Sequence, residues 1–216
     1  MSLTQRKPRP IKRSESTLRD DRLFIVACDD TYAPKQYFGF FRLPRIQVHV
    51  VETTDGSSSA KHVLNRLLEY KKSCHDDDEL WMVLDTDHYT SGTHIKGFVE
   101  AIKKARATGV NVALSKPCFE LWLLLHHLDG KELVNLKDAN DVENTLRVTL
   151  GGYDKRNLKE KDYPVETLKT AIKRAEVLDK SIGRTEIPIA NTSRIYLLWK
   201  ALANKALQTQ LPHYLK

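Results

Sequence analysis

Short apolar segments alternate with amphipathic ones through the first 130 residues, and this alternation constrains the fold more than any other feature. Four segments have the length and the aliphatic or β-branched content of strands: 23–28, 46–52, 80–85 and 111–115. The segments between them carry apolar residues at helical spacing. Short, largely apolar strands that alternate with helices are typical of a parallel sheet covered on both faces. The sequence therefore predicts an α/β fold with a parallel sheet of about four strands flanked by helices.

The strand pattern stops near Gly130, and the remaining sequence has the spacing of helices. We expect one helix over 138–150 and a second over 164–182, with Gly183 as the C-terminal cap of the second. A last helix is expected to begin at the Asn-Thr-Ser triplet of 191–193, which would supply its N-cap. The C-terminal third is therefore predicted to be helical.

The N-terminal segment holds more than half of the excess positive charge. Residues 1–22 carry seven Lys or Arg and three Asp or Glu, a net +4 out of +7 for the chain. Such an arm can attract nucleic-acid phosphates without sequence preference, and it can equally be a solubilising terminus. We predict a flexible basic tail over 1–22, an α/β core over 23–130, and a helical region over 131–216 packed on the core.

The cysteine content and the N-terminus indicate a cytoplasmic protein. The three cysteines form no Cys-x-x-Cys pair, which favours a reducing compartment over a disulfide framework. No apolar segment follows the basic N-terminus, so we expect no signal peptide. No stretch approaches the ~20 apolar residues that a membrane span needs. We therefore expect no membrane association.

Acidic residues follow the first and third predicted strands. Asp29 and Asp30 come directly after 23–28, and Asp85 and Asp87 form an Asp-x-Asp at the end of 80–85. In open parallel sheets, ligands bind beyond the carboxyl ends of the strands. Carboxylates gathered there repel one another unless a cation neutralises them, and their oxygens favour Mg²⁺ or Mn²⁺. Such an ion polarises phosphoryl groups and generates hydroxide for phosphodiester cleavage, so we expect a metal site built from Asp29, Asp85 and Asp87.

The segment after the fourth strand, 118–128, is apolar on almost every side, which predicts an internal helix. Glu120 lies inside it, where a carboxylate is costly unless it is paired or bound to metal. We expect Glu120 to support the catalytic site by accepting from Lys116, Ser115 or a backbone amide, or else to form a structural ion pair. His126 and His127 are expected to cap the helix end rather than to chelate a metal.

Three further polar residues have positions that admit a role at the same edge. Lys116 follows the fourth strand and His88 follows the Asp-x-Asp directly, so each is a candidate for contact with nucleic-acid phosphate. His88 is equally well explained as a surface histidine, and Asp55 is better explained as a turn residue. Seven basic residues are candidates for a nucleic-acid rim or for ordinary solvated faces: Lys103, Lys104, Arg106, Lys155, Arg156, Lys159 and Lys161.

Three motifs in this order resemble the RloB-like family. They are FIVACDD at 24–30, LWMVLDTDHY at 80–89, and ALSKPCFELWLLLHH at 113–127, of which SKPCFELWLLLHH is the most specific. Gly152-Tyr153 and the triplet at 191–193 also resemble later family motifs, so that the resemblance covers roughly residues 23–205.

The resemblance implies a Toprim-type fold and a metal-dependent nuclease site, in a prokaryotic group whose genes accompany restriction and anti-phage loci. Asp29 would act as general acid or base or as a metal ligand, and Asp85 and Asp87 would hold the ion. Family members typically read Glu-Gly where this chain reads Asp29-Asp30. Asp29 has a shorter side chain than Glu, and Asp30 adds a charge where the family has Gly. Both differences affect catalysis more than metal binding.

Three functions follow from these patterns. The first is a Mg²⁺- or Mn²⁺-dependent nuclease that cleaves DNA or RNA in anti-phage defence, working with protein partners of the defence system. The second is a non-catalytic metal- or nucleic-acid-binding module of a defence complex, with a degenerate site. The third is a receiver-type phosphoacceptor, against which the helical C-terminal third and the apolar helix after the fourth strand both argue.

Overall fold

Five strands form one sheet in the order β2-β1-β3-β4-β5. The computed structural model describes residues 22–53, 56–75, 78–87, 89, 94–183, 185–206 and 211–215. The strands are β1 (Arg22–Cys28), β2 (Ile46–Val51), β3 (Glu79–Asp85), β4 (Asn111–Lys116) and β5 (Thr192–Ser193). The first four are parallel, and β5 pairs antiparallel with β4. The predicted α/β class with a parallel sheet of about four strands is confirmed.

Helices connect the strands and fill the C-terminal third. They are α1 (Tyr32–Gly39), α2 (Ala60–Lys71), α3 (His94–Ala107), α4 (Glu120–Leu124), α5 (Gly130–Leu133), α6 (Ala139–Leu150), α7 (Val165–Ser181) and α8 (Ile195–Lys205). Asp138 caps the N-terminus of α6, and Gly183 follows α7 with a positive φ of 79°, as the sequence predicts. None of the described helices is long and apolar enough to cross a lipid bilayer.

The two faces of the sheet pack against different helices. Alternate residues of β1 point to opposite sides, so that Phe24 and Val26 join one buried cluster while Ile25 and Ala27 join another. The first cluster contains α1 and α4 to α8, and the second contains α2 and α3. The helical C-terminal part therefore shares a core with β1.

The strand order reverses direction between β1 and β3. The chain passes from β1 through α1 to β2 on one side of the sheet, and from β3 through α3 to β4 on the other side. Such a reversal opens a crevice at the carboxyl ends of the two adjacent strands, which is where open α/β sheets bind ligands. Asp29 follows β1 and Asp85 ends β3, so both lie at this crevice.

One prediction about the C-terminal part is wrong. The triplet at 191–193 is not the N-cap of the last helix, since Thr192 and Ser193 form β5 and α8 begins at Ile195. The Asn191 amide instead donates to the carbonyls of Leu133 (2.8 Å) and Leu136 (2.6 Å). The triplet is buried, and the side chains of Asn191 and Ser193 bond neighbouring chain segments rather than a helix terminus.

The internal helix after β4 is shorter than predicted, and His126 does not cap it. The helix α4 ends at Leu124, and His126 is buried beneath α1. Its Nε2 shares a hydrogen bond of 2.8 Å with the Tyr37 hydroxyl, and its Nδ1 shares one of 2.7 Å with the Thr167 hydroxyl. These contacts join α1, the end of α4 and α7.

Burial of His126 predicts acid sensitivity of the fold. Burial, together with the charges of His127 and Arg174, lowers the pKa of His126 from 6.5 to about 3. Between these pH values the unfolded chain takes up a proton that the folded chain refuses, so the contribution to stability is complete above pH 6.5 and decreases as the pH falls towards 3. Lowering the pH from 7 to 4.5 should decrease the free energy of unfolding less in His126→Gln than in the wild type, as measured by urea denaturation. Equal losses would contradict this assignment.

Candidate active site

A cavity of about 190 Å³ lies at the carboxyl ends of β1 and β3. Its acidic lining residues are Asp29, Asp30, Asp85, Asp87, Glu120 and Glu143. The structure thus brings together the four predicted catalytic residues, which come from three separate parts of the chain. Lys155 is the one Lys or Arg among the described residues that line it.

Asp29 and Asp85 are joined directly. The Asp29 carboxylate accepts from the Asp85 amide (2.9 Å) through Oδ2 and from the Asp30 amide (3.0 Å) through Oδ1. In Asp85, Oδ1 is buried and has no hydrogen-bond partner among the described residues. A buried carboxylate oxygen without a donor is costly, because the water it loses is not replaced. The cavity therefore contains one acceptor that an added ligand would satisfy.

The Asp-x-Asp loop is supported by the end of β4. The Thr86 amide donates to the carbonyls of Ser115 and Pro117, both at 3.0 Å, and the Asp87 amide also donates to Pro117 (3.2 Å). The Ser115 hydroxyl in turn bonds the Ser193 hydroxyl of β5 (2.8 Å). The backbone that carries Asp85 and Asp87 is therefore fixed by β4, which β5 braces from its outer side.

The cavity raises the pKa of two of its carboxyl groups, Asp29 and Asp85. Burial raises the pKa of Asp29 from 3.8 to about 7, against the opposing effect of the two amides that donate to it. Burial also raises the pKa of Asp85 well above 3.8, and the negative charges of Asp29 and Glu120 add to the effect. A bound cation would reverse both shifts, because it stabilises the ionised form.

The donor set suits a small hard cation that keeps part of its water. Among the residues that the structure describes, no three His, Cys, Asp or Glu side chains are arranged closely enough to hold a metal ion as they stand. Each Asp29 oxygen accepts from one backbone amide. Mg²⁺ usually retains several waters and binds one or two carboxylates together with substrate phosphate. Asp85, with its unpartnered oxygen, and Asp87 fit that requirement.

The sequence did not assign a role at the metal site to three residues that line this cavity or contact its lining. The Tyr153 hydroxyl donates to Glu120 (2.8 Å), so the partner of Glu120 is neither Lys116 nor Ser115. The Lys155 ammonium donates to Asp30 (2.9 Å), and Glu143 of α6 lines the wall. Two of the three had a signal: Gly152-Tyr153 resembles a family motif, and Lys155 is one of the seven basic candidates for a nucleic-acid rim.

The predicted nucleic-acid-binding residues do not all reach the cavity. Lys116 ends β4 and is not among the described residues that line the cavity, while His88 and Asp55 lie outside the described residues. The seven basic residues divide into two groups. Lys155 and Arg156 adjoin the site, whereas the other five do not line it: three lie on α3, which packs on the opposite face of the sheet, and Lys159 and Lys161 are exposed further along the chain.

Comparison with known proteins gives one match. The family model described as RloB-like protein matches residues 24–202, which is most of the chain and includes every described residue of the acidic cavity. No curated protein and no solved structure matches.

Proposed function

Because the chain belongs to the RloB-like protein family, we propose that it is a metal-dependent nuclease with a Toprim-type site that cleaves phosphodiester bonds of DNA or RNA. The observation that carries the proposal is the buried, unpartnered Oδ1 of Asp85 inside a cavity of six carboxylates at the switch point of the sheet. A soluble fold does not need such a costly arrangement for its stability, so it is best explained by a ligand that brings positive charge.

The roles of the residues follow from their environments. Asp85 and Asp87 would hold Mg²⁺ or Mn²⁺, which when bound supplies a polarised phosphoryl oxygen and an acidified water. Asp29, whose carboxylate accepts from the Asp85 amide at 2.9 Å, lies beside the ion site and would act as general acid or base or as a third ligand of the ion. Glu120 is held by Tyr153 at the opposite wall and adds negative charge that favours cation binding.

The family resemblance also supports the biological setting. We propose that the nuclease acts in the cytoplasm in defence against phage, together with protein partners of the same defence system. Lys155 is the one Lys or Arg among the described residues of the cavity; Asp30 holds it at 2.9 Å, and it has the charge needed to bind a substrate phosphate.

Cleavage is expected to depend on the divalent ion. Labelled single-stranded and duplex DNA and RNA should be cut in Mg²⁺ or Mn²⁺ and left intact in EDTA, and restoring the ion should restore cleavage. Gel electrophoresis of the products measures the rate, and calorimetry of the protein without substrate measures ion binding. Cleavage that persists in EDTA after removal of bound metal would contradict the proposal.

A second candidate is a non-catalytic module with a degenerate site. It is favoured by the engagement of both Asp29 oxygens with amides and by the ion pair of Asp30 with Lys155, where the family typically has Gly. This candidate predicts that the ion binds without turnover of any nucleic acid. It also predicts that Asp29→Glu with Asp30→Gly creates turnover that the natural sequence lacks. Turnover by the natural sequence would exclude it.

A further inference from the structure

A larger groove of about 920 Å³ adjoins the acidic cavity and shares Asp29, Asp30 and Lys155 with it. Two aromatic residues, Tyr32 and Phe40, line the groove on α1 and just after it. Its remaining lining includes two more cations, Lys35, which pairs with Glu52 of the same groove, and Arg156. Aromatic rings and cations therefore line one depression that adjoins the proposed metal site through the three shared residues.

The ring of Tyr32 is exposed to solvent, while its backbone amide is hydrogen-bonded and a guanidinium lies near the ring. Half of the residue's surface is exposed (50%), and its amide donates to Asp30 Oδ1 at 2.9 Å. The Arg156 guanidinium lies 5.1 Å from the ring centroid. Phe40 is half-buried and stacks on Tyr163, with ring centroids 6.3 Å apart and planes inclined by 13°. The backbone of Tyr32 and the ring of Phe40 are thus held by neighbouring residues before any ligand arrives, which lowers the entropic cost of stacking.

The loop that carries the cations is tied to α1. Gln36 of α1 donates to the Lys155 carbonyl (2.8 Å) and accepts from the Leu158 amide (2.9 Å). Lys155 itself reaches across to Asp30. The two walls of the groove are therefore joined, so the spacing between its rings and its cations is set by the fold.

We propose that this groove is the path of single-stranded nucleic acid, with one base stacked at Tyr32 and the adjoining phosphate held by Lys155 and Arg156. The inference rests on the proposed function and specifies the form of the substrate. Every base has a π-face, and stacking on aromatic side chains beside a cationic track is how unpaired strands are bound. The bases of a duplex are stacked on each other and cannot use these rings, so the groove selects against duplex.

Gly39 offers a way to close the groove without removing any contact. It is the last residue of α1, and a Cβ placed there would meet no atom within 4 Å. Its φ is not positive, so a side chain is compatible with its backbone. In Gly39→Leu the added side chain would occupy the space of the strand while Tyr32, Lys155 and the acidic cavity keep their contacts.

The test is fluorescence anisotropy with labelled oligonucleotides of about 12 nucleotides. It is run in EDTA and again in Ca²⁺, with single-stranded DNA, single-stranded RNA and blunt duplexes of each. We expect a single strand to bind at least about tenfold tighter than its duplex. Tyr32→Ala and Gly39→Leu should each weaken single-strand binding by about tenfold, and Tyr32→Phe should bind as wild type does. Lys103→Ala, which removes an exposed charge from α3, is the matched control and should have little effect.

The outcomes separate this inference from the proposed function. Tight single-strand binding that Tyr32→Ala and Gly39→Leu weaken supports the groove, even if no cleavage is found and the nuclease proposal fails. Equal affinity for duplex and single strand overturns the groove proposal, even if cleavage is robust. Normal binding by the Tyr32→Ala and Gly39→Leu variants overturns it as well. Absence of oligonucleotide binding in both EDTA and Ca²⁺ also overturns it, and so does a mononucleotide that binds as tightly as the oligonucleotide. The DNA and RNA arms report which sugar the groove accepts.

Discussion

Asp85→Asn should lower metal-dependent cleavage by about 10³-fold and, in the absence of metal, make the protein more stable than wild type. The loss of activity follows because Asn keeps the shape of the side chain but removes the charge that would hold the ion. The gain in stability follows because the buried Oδ1 of Asp85 has no partner among the described residues and lies near the charges of Asp29 and Glu120. Removing that charge should gain about 1 kcal/mol, or about 2–4 °C in Tm for a chain of this size.

The size of the stability gain in Asp85→Asn should depend on pH. The pKa of Asp85 is raised in the folded state, so the folded protein holds a proton that the unfolded chain has lost. In the wild type, the stabilising contribution of Asp85 is complete below its unfolded pKa of 3.8. This contribution is lost as the pH rises through the higher pKa that Asp85 has in the folded state. The advantage of Asp85→Asn should therefore be largest at neutral pH and should shrink on acidification.

Thermal denaturation in EDTA at several pH values, together with cleavage assays in Mg²⁺ and Mn²⁺, measures both effects. The matched control is Glu69→Gln, which removes an exposed carboxylate paired with Lys72 on α2 and should change neither quantity. An Asp85→Asn protein that is less stable than wild type at neutral pH, or that cleaves normally, would contradict the account of the cavity.

Arg194→Met should destabilise the fold by about 3 kcal/mol without altering the acidic cavity. The Arg194 guanidinium bonds the Asp179 carboxylate (2.9 Å) and the carbonyls of Glu186 (3.0 Å) and Thr185 (2.8 Å). The two charged side chains are only 11% and 14% exposed. Without Arg194, the Asp179 carboxylate retains a bond from the Tyr196 hydroxyl but no positive partner.

Urea denaturation of Arg194→Met measures this loss, with Lys200→Met as the control. Lys200 pairs with Glu176 at a more exposed position, so its removal should cost less than about 1 kcal/mol. The double variant Asp179→Asn with Arg194→Met should recover part of the loss, because it no longer buries an unpaired charge. A free energy of unfolding for Arg194→Met within about 1 kcal/mol of wild type would show that the pair contributes little.

The sequence was sufficient to predict the position of the site residues that follow directly from the ends of strands. Each of β1 and β3 is an apolar segment, so its end is visible in the sequence, and parallel strands bring their carboxyl ends to one edge. Asp29 and Asp85 could therefore be assigned to one place from the sequence. The Asp29 and Asp85 contact of 2.9 Å agrees with that expectation.

Contacts that depend on the path of the C-terminal third could not be predicted. Lys155 pairs with Asp30 across 125 positions, and nothing in the local pattern of either segment indicates the other. The two residues of β5 are too few to show a strand period. His126 was misassigned because the apolar segment after β4 does not show where α4 ends, and that end decides which side chain lies beneath α1.

The pairing of Thr192 and Ser193 with β4 has a consequence for self-association. An uncovered strand offers a row of amides and carbonyls that can recruit a strand from a second molecule. Here Ser115 and Lys116 are paired with a segment of their own chain, and the Leu114 carbonyl accepts from the Arg194 amide (2.8 Å). The chain's own β5 therefore occupies the positions on Ser115 and Lys116, beside the end of β3, where a strand of a second molecule would otherwise pair.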